Sequence, residues 1–306
     1  MPCVVRASLL ALALLPAHPL AAQEPPSAEA SQEIVVTGDR NVDRQASDFV
    51  AALIGRAPSA QLARFEWAVC PAAVGFTATQ KEAVERRLRA VAEAAAIPVG
   101  KPGCTPNAIL ILTDDKTAFL DALARRHPEY FGSLSSSAIR RLARAPGPTA
   151  AWQLQGKVNA RGVAIVPDQI TGVAVNRTTD PGSMITAAAR PVFEASALVV
   201  ERRALDGLTT TQLADYAAMR LFARTDPDRL ADVTAPTIVK ILDAPMGSPV
   251  PITLTKWDLG FLRGLYAGQN NLYSGAQRSE IRRGVVEELR RPEGEAKPSG
   301  QAPPPR

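Results

Sequence analysis

The chain has 306 residues, 46% of them hydrophobic and 21% charged, which suits one compact domain or two small ones with a sizeable core. A net charge of +5 comes largely from short arginine clusters, such as Arg86, Arg87 and Arg89 or Arg140, Arg141 and Arg144, with acidic residues interspersed. That pattern reads as solvated helix faces, and without interleaved aromatics it argues against nucleic acid as a partner.

Residues 1–22 read as a secretory signal peptide. Arg6 supplies the positive start, Ala7 to Leu15 the apolar run, and Leu20-Ala21-Ala22 a small-residue cleavage site. Pro16 and Pro19 interrupt the run, which is too short to span about 30 Å of hydrocarbon. Cys3 precedes the apolar run, where a lipid-bearing cysteine would follow it. The expected location is therefore periplasmic or secreted, without stable membrane insertion after cleavage.

Residues 23–46 read as a flexible leader rich in Pro, Ser, Glu and Ala, with a β-prone stretch inside it, EIVVTGDR from Glu33 to Arg40. This stretch resembles the segment ahead of the plug domain in TonB-dependent outer-membrane receptors. The resemblance implies envelope residence. It does not extend to the receptor itself, because no succession of alternating strands follows. Ile34, Val35, Val36 and Thr37 are candidates for strand addition to a partner, against the plainer reading of an exposed leader strand.

One α+β domain is expected over 47–290, with possible halves at 47–148 and 149–290, followed by a disordered Pro-rich tail over 291–306. Ser47 to Gly55 has the spacing of a short helix. Thr79-Gln80-Lys81-Glu82 reads as a capping box opening a helix lined by Val84, Leu88, Val91 and Ala95. The run Ala108 to Thr113 between turn residues predicts a central strand covered on both faces. Asp114 or Asp115 then caps a helix with Phe119, Leu120 and Leu123 inward, and helical order resumes over Ser137 to Arg144. Cys70 and Cys104 are the cysteines left after signal removal, and in an exported chain they are expected to pair as a structural disulfide. Only His127 survives as a histidine, so no metal and no cofactor is expected.

From Ala150 to Arg203 the runs at Trp152, Val163 to Val166, Val173 to Val175 and Val192 to Val200 predict strands that extend the sheet. The fold class is thus α+β, a small mixed or antiparallel sheet packed with several helices. Leu208 to Ala223 follows as an amphipathic helix capped by threonine. Thr234-Ala235-Pro236 should open a helix through Leu242, Thr255-Lys256-Trp257-Asp258 another, and Gln277 to Leu289 the last.

The succession ALVVERRAL, QLADYAAMR and LTKWDLGFLRGLYAGQNNLYSG resembles exported zincin-like families, in which a threonine-capped helix follows the peptidase helix. There the middle helix carries H-E-x-x-H, two imidazoles on one face around zinc and a glutamate that activates water. The positions set against it here are Ala214, Asp215 and Ala218, so the resemblance implies a degenerate, metal-free scaffold and carries over no catalytic residue. Gln212, Asp215, Tyr216 and Arg220 form the polar side of this otherwise apolar helix, and are the candidate binding residues or a buried hydrogen-bond network. Asp114-Asp115 and Ser135-Ser136-Ser137 read as helix caps. The expected function is a non-catalytic envelope protein that binds a periplasmic or outer-membrane partner. The alternative is an envelope hydrolase with a metal-free site that has no sequence signature.

Overall fold

The computed structural model describes residues 39–55, 61–168, 170–176, 178–180, 182–244 and 248–292. The expected signal peptide, the strand-addition candidates Ile34 to Thr37 and the tail from 293 lie outside these residues. Around the apolar run at the centre of the first half, β2 (Ala108–Thr113) pairs in parallel on both sides, with β1 (Pro71–Val74) and β4 (Ala189–Glu201). An antiparallel strand, β3 (Thr149–Asn159), completes a mixed sheet of order β1-β2-β4-β3 and forms its edge. The sheet joins the two halves: Leu110 of the first lies in register with Leu198 of the second.

Side chains alternate across this sheet, as the two-residue period of a strand requires. Leu198 and Val200 enter a large core with Leu110, whereas Ala197 and Val199 enter a smaller one on the opposite face. The smaller core is covered by α3 (Lys116–Arg126) and α4 (Ser136–Arg144), which contribute Leu120, Ile139 and Ala143 against Trp152. Asp115 caps α3 through the amide of Ala118, and Ser135 caps α4 through that of Ala138. Asp114 is left outside, in an exposed pair with Arg202.

The larger core takes the remaining helices: α1 (Asp39–Ile54), α2 (Ala78–Ala94), α5 (Thr210–Leu221), α6 (Lys256–Ala267) and α7 (Ser274–Arg290). Helix α1 begins at Asp39, eight residues ahead of the expected start at Ser47. Ala46 continues the buried stripe of Phe49, Val50 and Leu53 backwards by one turn, and Asp43 is anchored by Arg282 of α7 at 2.7 Å. The capping box of α2 is Thr77 with Gln80, where Thr79 was expected, because the Thr77 hydroxyl accepts the Gln80 amide. Val84, Leu88, Val91 and Ala95 are buried as the spacing predicts. Helix α7 starts at Ser274, three residues early.

Two expected elements do not form. Val163 to Val166 and Val173 to Val175 make only isolated bridges, Val158 with Ala164 and Pro167 with Ala174. Gly162 and Gly172 take positive φ there, and Pro167 lacks an N–H donor, so no ladder propagates. The helix expected through Leu242 shrinks to a single 3₁₀ turn, Ile238–Lys240, capped by Thr237. The buried Asp258 carboxylate takes the Ile238 amide at 2.9 Å and the Thr237 hydroxyl at 2.5 Å, which ties this turn to the start of α6.

The disulfide Cys70–Cys104 is present, with Cα atoms 6.0 Å apart, and joins the start of β1 to the loop before β2. No helix among the described residues is long and apolar enough to cross a membrane.

Candidate functional site

Helix α5 is the place to begin, because every residue from Gln212 to Leu221 is buried. Thr209 and Gln212 close a capping box at its start, and the Gln212 amide also donates to the carbonyl of Pro251 at 2.9 Å. One turn later Asp215 is fully buried and accepts four bonds. Arg87 of α2 supplies two, Nε at 2.6 Å and Nη2 at 2.9 Å; the Thr253 hydroxyl and the Leu254 amide supply the others, each at 2.7 Å. Oδ2 takes three of these bonds and Oδ1 one, and with no exposed surface the carboxylate is out of reach of a group entering from solvent.

Tyr216 turns the other way. Its hydroxyl lies 3.2 Å from the Thr149 hydroxyl on β3, and burial pushes its phenol pKa up, opposed by the nearby Arg220 charge. Arg220, also on this side, is 8% exposed; its Nη1 donates to the carbonyl of Thr225 at 3.0 Å. Its Nε is buried and has no hydrogen-bond partner among the described residues.

The four candidate residues therefore do not converge. Gln212 and Asp215 brace the 251–254 segment and Tyr216 braces β3. Only Arg220 reaches open space, a cleft of about 790 Å³ between β3, the end of α5 and the end of α1. Ala214 and Ala218, the positions compared with zinc-binding histidines, are fully buried in the larger core and do not line that cleft. The α5 face turned to β3 carries Tyr216 and Arg220 instead.

Along β3 the cleft is lined by Ala151, Gln153, Gln155 and Lys157, every second residue of the strand. The opposite wall is Arg220, Ala223 and Arg224, continued by Asp226 and Arg229. Arg229 lies over Gly55, the residue after α1, where φ is +68° and an added Cβ would come within 2.6 Å of Nη1. A side chain at Gly55 would thus displace that guanidinium as well as strain the backbone. The far end of α5 is held by Tyr266 of α6, whose hydroxyl donates to the Phe222 carbonyl at 2.6 Å. Arg64 braces the same corner by donating to the carbonyls of Leu265 and Gly268.

Lys157, Arg220, Arg224 and Arg229 face the cleft, while Asp226 is the one carboxylate among its lining residues. None of these cations forms an ion pair within the described residues, although elsewhere arginines pair regularly, as Arg190 does with Glu66 at 2.6 Å and Arg161 with Asp180 at 2.5 Å. The arrangement offers positive charge, alternating amides and a few apolar surfaces to whatever enters. Among the described residues no three His, Cys, Asp or Glu side chains gather within ligating reach of one point.

Arg224, Arg229 and Lys157 escape a reading of the sequence because only the fold brings β3 against the stretch that follows α5. The one legible signal is the period-two string Ala151, Gln153, Gln155, Lys157, which marks a face of β3 that is polar opposite the apolar face of Ala150 and Trp152. Comparison with known proteins adds nothing to this geometry: no protein-family model, no curated protein and no solved structure matches the chain.

Proposed function

We propose that this is an exported envelope protein that acts by binding a segment of a partner in the cleft between β3 and the end of α5. The single observation that carries the reading is Arg220, a nearly buried guanidinium on the cleft wall whose Nε is unmatched by the protein itself. Buried donors in native proteins are matched almost without exception, and an unmatched one beside a cleft suits a ligand that completes it. The disulfide supports an oxidising compartment. The likeness to zincin-like families belongs to the same proposal, as a metal-free scaffold that keeps a cleft beside its central helix. Asp215 supports binding over hydrolysis, since it is fully buried and tied to Arg87, Thr253 and Leu254.

The test is a photo-crosslinking amino acid at Gln155, an exposed residue on the cleft side of β3, in the full chain expressed into the envelope. A discrete adduct that disappears when Ala151→Trp fills the cleft, with the melting temperature of that variant unchanged, is the expected result. No adduct, or one of equal yield in the filled variant, refutes the proposal. Peptide cleavage by purified protein that is lost in Arg220→Ala favours the hydrolase alternative instead.

A further inference from the structure

We infer that the ligand of this cleft is an acidic polypeptide segment in extended form, one carboxylate of which is taken by Arg220. This rests on the cleft being a partner-binding site, as proposed above. The charge balance is the first argument. Lys157, Arg224 and Arg229 are exposed, Arg220 is 8% exposed, all four line the cleft, and none has a carboxylate partner among the described residues. Asp226 stands alone against them. Asp243 feels the Arg220 charge but forms no ion pair with it.

Geometry is the second argument. With Nη1 committed to the Thr225 carbonyl, Arg220 has its Nε unmatched and makes no bond through Nη2 within the described residues. Nε has under 1 Å² of exposed surface, so a carboxylate in the cleft meets Arg220 through Nη2 first and takes both donors of that edge once the side chain turns outward.

The wall opposite selects among anions. Ala151, Gln153, Gln155 and Lys157 succeed one another at the two-residue repeat of a strand, about 6.8 Å, which is also the repeat of alternate side chains in an extended peptide. The Gln155 amide matches a peptide group as donor and acceptor, Gln153 keeps its carbonyl oxygen free while its Nε2 donates to the Arg220 carbonyl at 3.4 Å, and Ala223 and Leu265 give apolar contact between the charges. A bare phosphate uses the cations alone and leaves the amide row unused.

The experiment is fluorescence anisotropy of the purified full chain with three probes: a labelled hexaglutamate peptide, the matching hexaglutamine peptide, and inorganic phosphate as competitor. Hexaglutamate is expected to bind at low salt, to weaken as salt screens the charges, and to outbind hexaglutamine. Reversing the two exposed charges, Arg224→Glu with Arg229→Glu, should weaken it by about tenfold or more. These side chains lie at the surface, so the melting temperature is expected to hold, and Arg220→Gln should give a similar loss. Equal binding of the two peptides, no effect of the double variant, or phosphate binding without hexaglutamate binding overturns the inference. If hexaglutamate fails while the Gln155 adduct still forms, the acidic class is wrong and the partner-binding reading stands.

Discussion

Removing the disulfide tests the fold most directly. Cys70 and Cys104 are 34 residues apart, and the chain-entropy relation gives about 12.6 cal/mol/K for a loop of that length, or roughly 3.8 kcal/mol at 25 °C. Several contacts hold the same loop without the bridge. Gly100 donates to the Val69 carbonyl at 2.8 Å, the Cys70 amide to the Asn107 side chain at 2.7 Å, and Arg89 to the Gly100 carbonyl at 2.7 Å. The folded state of a Cys70→Ser, Cys104→Ser variant should therefore keep its shape, and the loss should come from a freer unfolded chain. For a domain of this size each kcal/mol moves the melting temperature by about 2–4 °C, so a fall of about 8–15 °C is expected. Circular dichroism melts of the oxidised protein, the reduced protein and the double variant measure it. A drop below about 2 °C in both altered forms would refute the loop-entropy argument.

Two further outcomes follow from packing and burial. Helices α6 and α7 touch backbone to backbone at Gly264, where a Cβ would come within 2.6 Å of the Ile281 Cα, so Gly264→Ala should cost about 1–3 kcal/mol despite alanine's better helix propensity. A urea midpoint that is unchanged or raised would contradict that close approach. Asp258 is fully buried, and burial raises its carboxyl pKa above the ordinary 3.8, against the bonds from Thr237, Ile238 and Thr255. The folded state then binds more protons than the unfolded one between those two values, so this group's contribution is full below the ordinary value and is lost as pH rises through the raised one. Melting temperatures from pH 4 upward should show that decline in the native protein and not in Asp258→Asn; parallel curves would count against it.

What could be read from the sequence was whatever local chemistry decides. The run AILILT has no polar residue before its last, so β2 had to be central. Asp115, Ser135, Thr209 and Thr255 declare helix starts because a side-chain oxygen is needed there, and each does accept the amide three residues on. Boundaries set by tertiary packing were not legible in the same way. Nothing in Asp39 to Ala46 announces a helix until α7 supplies Arg282 and a surface to bury against. The valines at 163–166 and 173–175 show the opposite error: β-prone residues, yet left 51–70% exposed at Val163, Val166, Val173 and Val175, with pairing that stops at single bridges, the first of them to the end of β3.

The same division explains the site. On α5 the sequence shows four polar residues on a buried helix and cannot say which are already matched. Matching depends on Arg87, Thr149 and Thr253, which arrive from α2, β3 and the loop before α6. Once these partners are placed, Gln212, Asp215 and Tyr216 are accounted for as struts, and each strut fixes a different neighbour of the helix. Arg220 is the remainder. Its one hydrogen bond within the described residues goes to a carbonyl, and the cleft brings three more cations, with Asp226 in the lining and Asp243 near enough to feel the Arg220 charge without pairing. A charge left in that condition inside a well-braced helix is costly to the isolated protein, and a carboxylate entering the cleft, as proposed, would offset that cost. Among the polar residues of α5 Arg220 is the one whose bonds the described residues leave open, a condition that Asn176 Oδ1, Ser196 Oγ and Arg278 Nη2 share elsewhere, and the cleft beside it is what sets it apart from them.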